Sequence, residues 1–274
     1  MAQADRGPAA PGARAAAPGG GPIAGDGPAA GGVGDPAPDG APAGVLADEV
    51  ARFDALARRW WEPSGPMRPL HAMNPLRVGW VDRRLRARFG DPVRLLDLGC
   101  GAGLAAEAFA RLGHDVLGVD AAGEAIRVAE AHAAGQGLPL RYRAGTAEAL
   151  AAEGARFPAI TALEVIEHVP DPAAFLGLLA GLLEPRGMLF VSTLNRTARS
   201  LVVAKLGAEY VLRLLPVGTH DWRRFVTPAE LVRHARGAGL RVAATAGLSY
   251  DPLHGTWRES RDLAVNYIAA LTRG

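Results

Sequence analysis

The sequence has little cysteine, few aromatic residues and no long apolar run. The single cysteine, Cys100, excludes an internal disulfide framework and a cysteine-rich zinc site. No segment approaches the roughly 18 unbroken apolar residues of a membrane-spanning helix, and the N-terminus lacks the basic start and apolar stretch of a signal peptide. We therefore expect a protein of the cytoplasm, where thiols stay reduced.

An excess of charge of either sign is also missing. The 30 basic and 28 acidic residues leave a formal net charge of +2, and composition therefore gives no support for binding to nucleic acid. With 274 residues and 49% hydrophobic composition, the chain can bury a full core. The simplest organisation is one globular domain with a tail.

The predicted tail is residues 1–44. It consists almost wholly of Ala, Pro, Gly and Asp, and Ile23 and Val33 are its only branched aliphatic residues. Such a segment cannot bury enough apolar surface to order itself, so we expect a disordered extension. Its aspartates outnumber Arg6 and Arg14, which argues against a mitochondrial transit peptide. Residues 45–274 are assigned to the folded domain.

The folded domain opens with a prelude of two predicted helices, at 45–60 and 76–88, around a Pro-rich stretch. Apolar strands then alternate with amphipathic helices, with strands at 94–98, 115–119, 140–144, 158–163 and 187–193 and helices at 103–112, 123–134 and 171–183. This rhythm predicts an α/β fold with a doubly wound, mostly parallel sheet. After a helical insertion at 195–226, a helix at 227–236 and strands near 240–248 and 264–270 complete seven strands.

A glycine-rich turn follows the first strand, in LLDLGCGAG at positions 95–103. It carries glycine at alternate positions, Gly99, Gly101 and Gly103. Such a turn brings backbone amides close to a ligand. Asp120 ends the next strand, where a carboxylate can accept both ribose hydroxyls of an adenosine. An NAD-dependent oxidoreductase shares this geometry, but Leu104 replaces the third glycine of its fingerprint, and Asp97 is characteristic of methyltransferases. S-adenosylmethionine is the favoured cofactor.

The segment EVIEH places candidate catalytic groups directly after the fourth predicted strand. Glu164, Glu167 and His168 are spaced i, i+3 and i+4, and they would converge if a helical turn follows. A phenol with a pKa of about 10 needs help from a general base or a metal. These donors suit Mg²⁺, Mn²⁺ or Zn²⁺, with His220 as a fourth ligand. Without a metal, His168 is the leading general base.

Five segments in order resemble the ubiquinone-biosynthesis O-methyltransferase family: WWEPSGPMRPLHAMNPLR, LLDLGCGAG, EVIEHVPDP, STLNRT and GAEYVLRLLPVGTHDW. The resemblance runs from about Ala51 to the C-terminus. It implies the class I methyltransferase fold, S-adenosylmethionine as cofactor, and methylation of polyprenylated catechol or quinol intermediates at both O-methylation steps of the pathway. It also implies cofactor contacts at Arg77, Gly99, Asp120 and Leu163, a position where the family often has methionine.

Several other residues could have either a functional role or only a packing role. Trp60 and Trp61 could line a channel for a prenyl chain, although packing in the prelude is favoured. His71 could touch the substrate or only pack. Three further histidines, in helix or turn contexts, are expected to be solvated: His114, His132 and His234.

The insertion contains a candidate membrane-surface element at 196–216. Lys205, Glu209 and Arg213 recur every four residues, which makes a narrow polar stripe on a mostly apolar helix. The segment is cationic, as binding to anionic headgroups requires; a helix buried against the sheet is the alternative. Because a polyprenyl substrate resides in the bilayer, we expect peripheral association with the inner membrane, and a quinone-biosynthesis complex is a candidate partner.

Two other functions share parts of these patterns. E-x-x-E-H with a later histidine also occurs in metal-dependent RNA-end methyltransferases, but the near-neutral charge and the NPLR and GTHDW segments weigh against RNA. A non-catalytic scaffold of a quinone-synthesis complex would use the fold only for docking. The intact EVIEH segment and Asp120 weigh against that alternative.

Overall fold

A computed structural model describes residues 47–201, 222–251 and 256–274 of the chain. The α-helices are α1 (Ala47–Leu56), α2 (Arg68–Phe89), α3 (Leu104–Arg111), α4 (Gly123–Ala133), α5 (Ala147–Ala152), α6 (Pro172–Leu182) and α7 (Pro228–Gly237). The strands are β1 (Arg94–Leu98), β2 (Asp115–Asp120), β3 (Leu140–Ala144), β4 (Phe157–Leu163), β5 (Leu183–Leu194), β6 (Leu240–Asp251), β7 (Thr256–Ser260) and β8 (Asn266–Arg273). The predicted tail and most of the insertion lie outside these ranges.

The strands form one sheet in the order β3-β2-β1-β4-β5-β8-β6-β7. Strands β1 to β5 pair in parallel, and β8 is antiparallel to both β5 and β6. The predicted doubly wound α/β fold is confirmed. The part of the chain described here has eight strands rather than seven, because β7 adds an edge strand to β6.

Apolar side chains explain why these segments become sheet and covering helices. Strand β1 is buried along most of its length, as expected for a parallel strand covered on both faces. One face packs against a layer that includes Leu176 and Leu179 of α6. The other packs against Trp80 of α2 and Phe109 of α3. The order of winding reverses between β1 and β4, so the site is expected outside their carboxyl ends.

Local signals set the helix starts. Thr227 and Glu230 form a capping box at the start of α7, and Pro228 occupies its first turn, a favoured arrangement. Helix α2 starts earlier than the predicted residue 76, with a proline in its first turn. Pro75 lies inside this helix, so the Pro-rich stretch that we expected to be irregular is in part helical.

One predicted surface histidine is a core residue. His114 is fully buried: its Nδ1 accepts a hydrogen bond from the backbone N–H of Val93 at 3.1 Å, and its Nε2 lies 3.0 Å from Asp82 Oδ1. The expectation that it is solvated was wrong because these two partners satisfy both ring nitrogens inside the core. Within the three described ranges, no helix is both long and apolar enough to cross a membrane.

Candidate active site

The turn between β1 and α3 is a left-handed glycine loop. Gly99, Gly101 and Gly103 have φ values of 70°, 53° and 91°, a region that residues with a Cβ rarely adopt. Gly99 donates its N–H to the carbonyl of Val119 at 2.7 Å, which ties the loop to the end of β2. The loop therefore lies at the switch point of the sheet, at the carboxyl end of β1.

Asp120 holds this loop from the end of β2. Its Oδ2 accepts a hydrogen bond from the N–H of Gly101 at 2.7 Å, and its Oδ1 accepts one from Ala122 at 2.8 Å. Burial raises the pKa of Asp120, and these backbone donors oppose that rise. Each carboxylate oxygen can accept a second hydrogen bond, so the arrangement is compatible with the predicted ribose contact.

The prelude packs over the loop through its two tryptophans. A Cβ built on Gly101 would lie 2.3 Å from the ring of Trp60, and Trp60 is buried. Trp61 donates its indole N–H to the carbonyl of Ala102 at 2.9 Å. His71 donates a hydrogen bond from Nε2 to the carbonyl of Trp60 at 2.7 Å. The described contacts thus give these side chains a packing role on the loop.

The buried carboxylate of Glu107 holds His132, whose ring packs against Trp61 of the prelude. Glu107 of α3 is fully buried and meets His132 Nδ1 at 2.5 Å and Arg111 at 2.9 Å. The His132 ring stacks on Trp61, with centroids 3.5 Å apart and planes 6° apart. His132 is therefore half-buried and bonded rather than solvated, because the carboxylate and the indole fix it from two sides.

A cavity lies between Trp60, helix α2, the glycine loop and the end of β4. Its lining residues are Trp60, Leu70, Arg77, Asp97, Gly99, Cys100, Leu104, Ala105, Leu163 and Glu164. Three of the predicted cofactor residues, Arg77, Gly99 and Leu163, are therefore brought together there. The other two, Gly101 and Asp120, lie in the adjoining loop and at the end of β2.

Arg77 and Asp97 bring opposite charges into this cavity. Arg77 is 3% exposed, and its Nε has no hydrogen-bond partner among the residues described. Asp97 accepts a hydrogen bond from Thr161 at 2.7 Å through Oδ1, while its buried Oδ2 is likewise unpartnered there. Burial raises the pKa of Asp97 to about 6 and lowers that of Arg77. A buried donor and acceptor of opposite sign fit a zwitterion such as the methionine end of S-adenosylmethionine.

Glu164 occupies a strained position at the end of β4. Its φ of 59° is the only positive value outside glycine in the described chain, and such strain clusters at functional sites. Ser192 of β5 holds it twice: the backbone N–H of Glu164 donates to the Ser192 carbonyl at 3.0 Å, and the Ser192 hydroxyl donates to Glu164 Oε1 at 2.6 Å. Arg77 Nη1 lies 3.7 Å from the same carboxylate oxygen.

The three candidate groups of EVIEH do not meet as the helical spacing predicts. The 3-10 turn covers only Ile166–His168, so Glu164 is not part of it. His168 lies against α1 instead, with Nδ1 3.3 Å from Glu49 Oε2. Glu167 is buried, and burial together with the neighbouring Glu164 raises its pKa well above the ordinary value.

A metal site is not assembled by these side chains. Two carboxylates and an imidazole are suitable donors for a divalent cation, but the described ranges contain no group of three or more His, Cys, Asp or Glu side chains that could hold one. His220, the expected fourth ligand, lies outside the described residues. The metal stays a prediction.

Comparison with known proteins decides the family. A sequence-family profile described as a methyltransferase domain matches residues 75–245. The ubiquinone biosynthesis O-methyltransferase of Methylobacterium nodulans is 49% identical over 82% of this chain and 94% of its own length. That of Azorhizobium caulinodans is 48% identical over 82% and 92%. The chain belongs to the ubiquinone biosynthesis O-methyltransferase family. The expected resemblance is confirmed, and the chain is an S-adenosylmethionine-dependent O-methyltransferase rather than an NAD-dependent oxidoreductase.

Solved structures confirm the fold. Magnesium protoporphyrin IX methyltransferase from Synechocystis, with bound S-adenosylhomocysteine, superposes with a TM-score of 0.59 at 19% identity, over 82% of this chain and 95% of that one. An S-adenosylmethionine-dependent methyltransferase from Thermotoga maritima, a possible histamine N-methyltransferase, gives 0.58 at 17% identity, over 84% and 100%. Both are class I methyltransferases, as the sequence predicts for this chain.

Proposed function

We propose that this ubiquinone biosynthesis O-methyltransferase methylates phenolic hydroxyls of polyprenylated catechol or quinol intermediates, at both O-methylation steps of the pathway. The observation that carries the proposal is the 49% identity to a relative named ubiquinone biosynthesis O-methyltransferase, over 94% of that relative's length. The cavity between Arg77, Asp97 and the glycine loop supports it, because its charges suit the cofactor.

The proposed binding roles follow from the side chains. The Arg77 guanidinium receives the carboxylate of the cofactor, and the Asp97 carboxylate receives its ammonium group. Asp120 accepts the ribose hydroxyls, while Gly99, which lines the cavity, and Gly101 of the same loop contact the cofactor through their backbone. S-adenosylmethionine supplies a sulfonium methyl group. Holding the acceptor oxygen in line with that methyl group lowers the activation barrier substantially.

Deprotonation of the phenol is assigned to His168. An imidazole is the side chain best suited to accept a proton near neutral pH. Glu167 is the weaker candidate, because its raised pKa favours the protonated acid. Glu164 is the second acidic group of the site, where Ser192 and Arg77 hold its carboxylate.

Membrane association is a separate part of the proposal. The cationic and largely apolar segment 196–216 suits the surface of anionic lipids, and the proposed substrate carries a prenyl chain that resides in the bilayer. This segment lies mostly outside the described residues, so the proposal depends on its sequence alone. Through it, the enzyme would collect its substrate at the inner membrane, alone or within a quinone-biosynthesis complex.

The substrate assignment is tested with two catechols that differ only in a short prenyl side chain. We expect the prenylated catechol to be methylated with the higher kcat/KM, since its apolar chain contributes binding. A parallel arm adds a chelator: retained activity assigns deprotonation to side chains, whereas reversible loss assigns it to a bound cation. Equal rates for both catechols, or methylation of neither, would contradict the proposed substrate class.

A further inference from the structure

Two polar side chains follow the cavity along the face of the sheet that α2 covers. Phe190 of β5 and Ile268 of β8 belong to the core on this face. Because side chains alternate along a strand, Ser192 lies on the same face, two residues after Phe190. Asn266 also lies on it, two residues before Ile268, and pairs with Leu194 at the end of β5. Both polar residues are therefore at the carboxyl end of β5, beside the site.

These two side chains adjoin the cavity. Ser192 donates a hydrogen bond to Glu164, which lines the cavity. Asn266 lies against Met73 of α2, one helical turn before Arg77, which also lines it. The strands follow in the order β2-β1-β4-β5-β8, and the proposed cofactor contacts extend from β2 to β4. We therefore expect an acceptor in line with the methyl group to lie beyond β4, over β5 and β8.

The side-chain amide of Asn266 is buried and has unused hydrogen-bonding capacity. The residue is 5% exposed, and its Nδ2 donates to Met73 Sδ at 3.6 Å, a weak acceptor. Exchanging the amide nitrogen and oxygen would set the oxygen against this sulfur, which donates nothing, so the orientation of the amide is defined. Oδ1 has no hydrogen-bond partner in the part of the chain that the structure describes. A buried acceptor without a donor is unfavourable, and a ligand hydroxyl would supply that donor.

We propose that Asn266 selects acceptors with two neighbouring hydroxyl groups, because its Oδ1 accepts a hydrogen bond from the hydroxyl next to the one that is methylated. This role rests on the proposed function, which supplies the phenolic substrate class. Anchoring one hydroxyl of a catechol fixes the rotation of the ring and presents the other hydroxyl to the methyl group. The amide is uncharged, so Asn266 orients the acceptor and does not deprotonate it. A monophenol leaves Oδ1 unpaired and is disfavoured for that reason.

The test measures equilibrium binding, which needs no turnover. The full-length enzyme is saturated with S-adenosylhomocysteine, and two ligands are titrated by calorimetry: a catechol with a short prenyl chain, and the matched phenol that lacks the second hydroxyl. A chelator is present throughout, so that no cation contributes to binding of the catechol. We expect wild type to bind the catechol about tenfold more tightly than the phenol, and Asn266→Leu, which keeps the branched shape without polar atoms, to bind the two within about twofold.

Thr272→Val is the matched control. Thr272 lies on the same face at the other end of β8, about 20 Å away, and its buried Oγ1 is likewise unpartnered among the described residues. This variant should keep the wild-type preference. Equal affinities in wild type, a preserved preference in Asn266→Leu, or an equal loss in Thr272→Val would overturn the proposal. If Asn266→Leu does not melt cooperatively, Asn266→Ala replaces it under the same criteria, and failure of both to fold would assign the amide to the fold and overturn the proposal.

Methylation by wild type is measured separately. Tighter binding of the catechol without its methylation would contradict the proposed function and leave the hydroxyl-binding role of Asn266 standing. Methylation of the catechol with equal affinities for the two ligands would overturn that role and leave the proposed function standing.

Discussion

Trp60 lies directly against Gly101, and a Cβ built on that glycine would stand 2.3 Å from the indole ring. The glycine is thus required twice, for its φ of 53° and for the space that the indole occupies. This contact makes the prelude part of the cofactor site.

Gly101→Ala should therefore weaken both the fold and cofactor binding. The left-handed backbone alone costs a residue with a Cβ about 1–3 kcal/mol, and the displaced indole adds to this. We expect a lower melting temperature and at least tenfold weaker binding of S-adenosylmethionine by calorimetry. The control is Gly177→Ala on the exposed side of α6, where nothing lies within 4 Å of the new Cβ; it should be neutral or slightly stabilising. Equal effects of the two changes would contradict this account.

Asp120→Ala should weaken cofactor binding by an order of magnitude or more. The change removes the acceptor of the Gly101 N–H as well as the proposed acceptor of the ribose hydroxyls, and together these are worth roughly 2–3 kcal/mol. Calorimetric titration with S-adenosylmethionine measures the loss. Asp115→Ala, at the exposed start of the same strand and paired only with Arg141 in the described contacts, should bind like wild type. Wild-type affinity in the Asp120 variant would remove the cofactor assignment.

The raised pKa of Asp97 predicts how the stability of the cofactor-free protein changes with pH. A carboxyl whose folded pKa is about 6 rather than 3.8 favours its protonated form on folding, so its unfavourable contribution grows as the pH rises between these two values and is complete above about 7. Asp97→Asn should gain stability relative to wild type by roughly 1–2 kcal/mol on going from pH 5 to pH 8. Urea unfolding at the two pH values measures this difference. A pH-independent difference would show that Asp97 titrates normally.

Much of this framework is predictable from the chain alone. The alternation of apolar strands and amphipathic helices gives β1 to β5 within a few residues of their observed ends, since buried parallel strands are continuous apolar runs. The glycine loop and Asp120 are recognisable for a related reason. Their roles depend on backbone geometry at a strand end, and that geometry demands particular residue types.

The features that the sequence did not predict depend on tertiary contacts, which leave no pattern in the local sequence. Strand β7 is short and mostly exposed, so it lacks an apolar period. Glu49 and Ser192 are far from EVIEH in sequence, and only folding brings them to His168 and Glu164. The predicted helical turn does not include Glu164, because β5 holds that residue in a left-handed conformation. The spacing of residues in the sequence does not predict this conformation.

The membrane proposal predicts binding of the enzyme to anionic vesicles. Leu212, Leu214 and Leu215 belong to the apolar part of segment 196–216, and changing all three to serine should sharply reduce co-sedimentation with liposomes that contain anionic lipid, because buried apolar area drives such binding. Neutral liposomes should bind less of the wild type. Equal sedimentation of wild type and variant, or no binding to anionic vesicles, would contradict a membrane-surface role.

The proposed reaction moves a methyl group from S-adenosylmethionine to a catechol oxygen. It is tested most directly by incubating the enzyme with cofactor that carries an isotopically labelled methyl group and a short-chain prenyl catechol, followed by mass spectrometry and NMR of the product. We expect a single labelled methyl on a ring oxygen, in equal amount to the S-adenosylhomocysteine formed, and greatly reduced formation by Asp120→Ala. A label on carbon or nitrogen, or no labelled product from wild type that binds the cofactor, would contradict it.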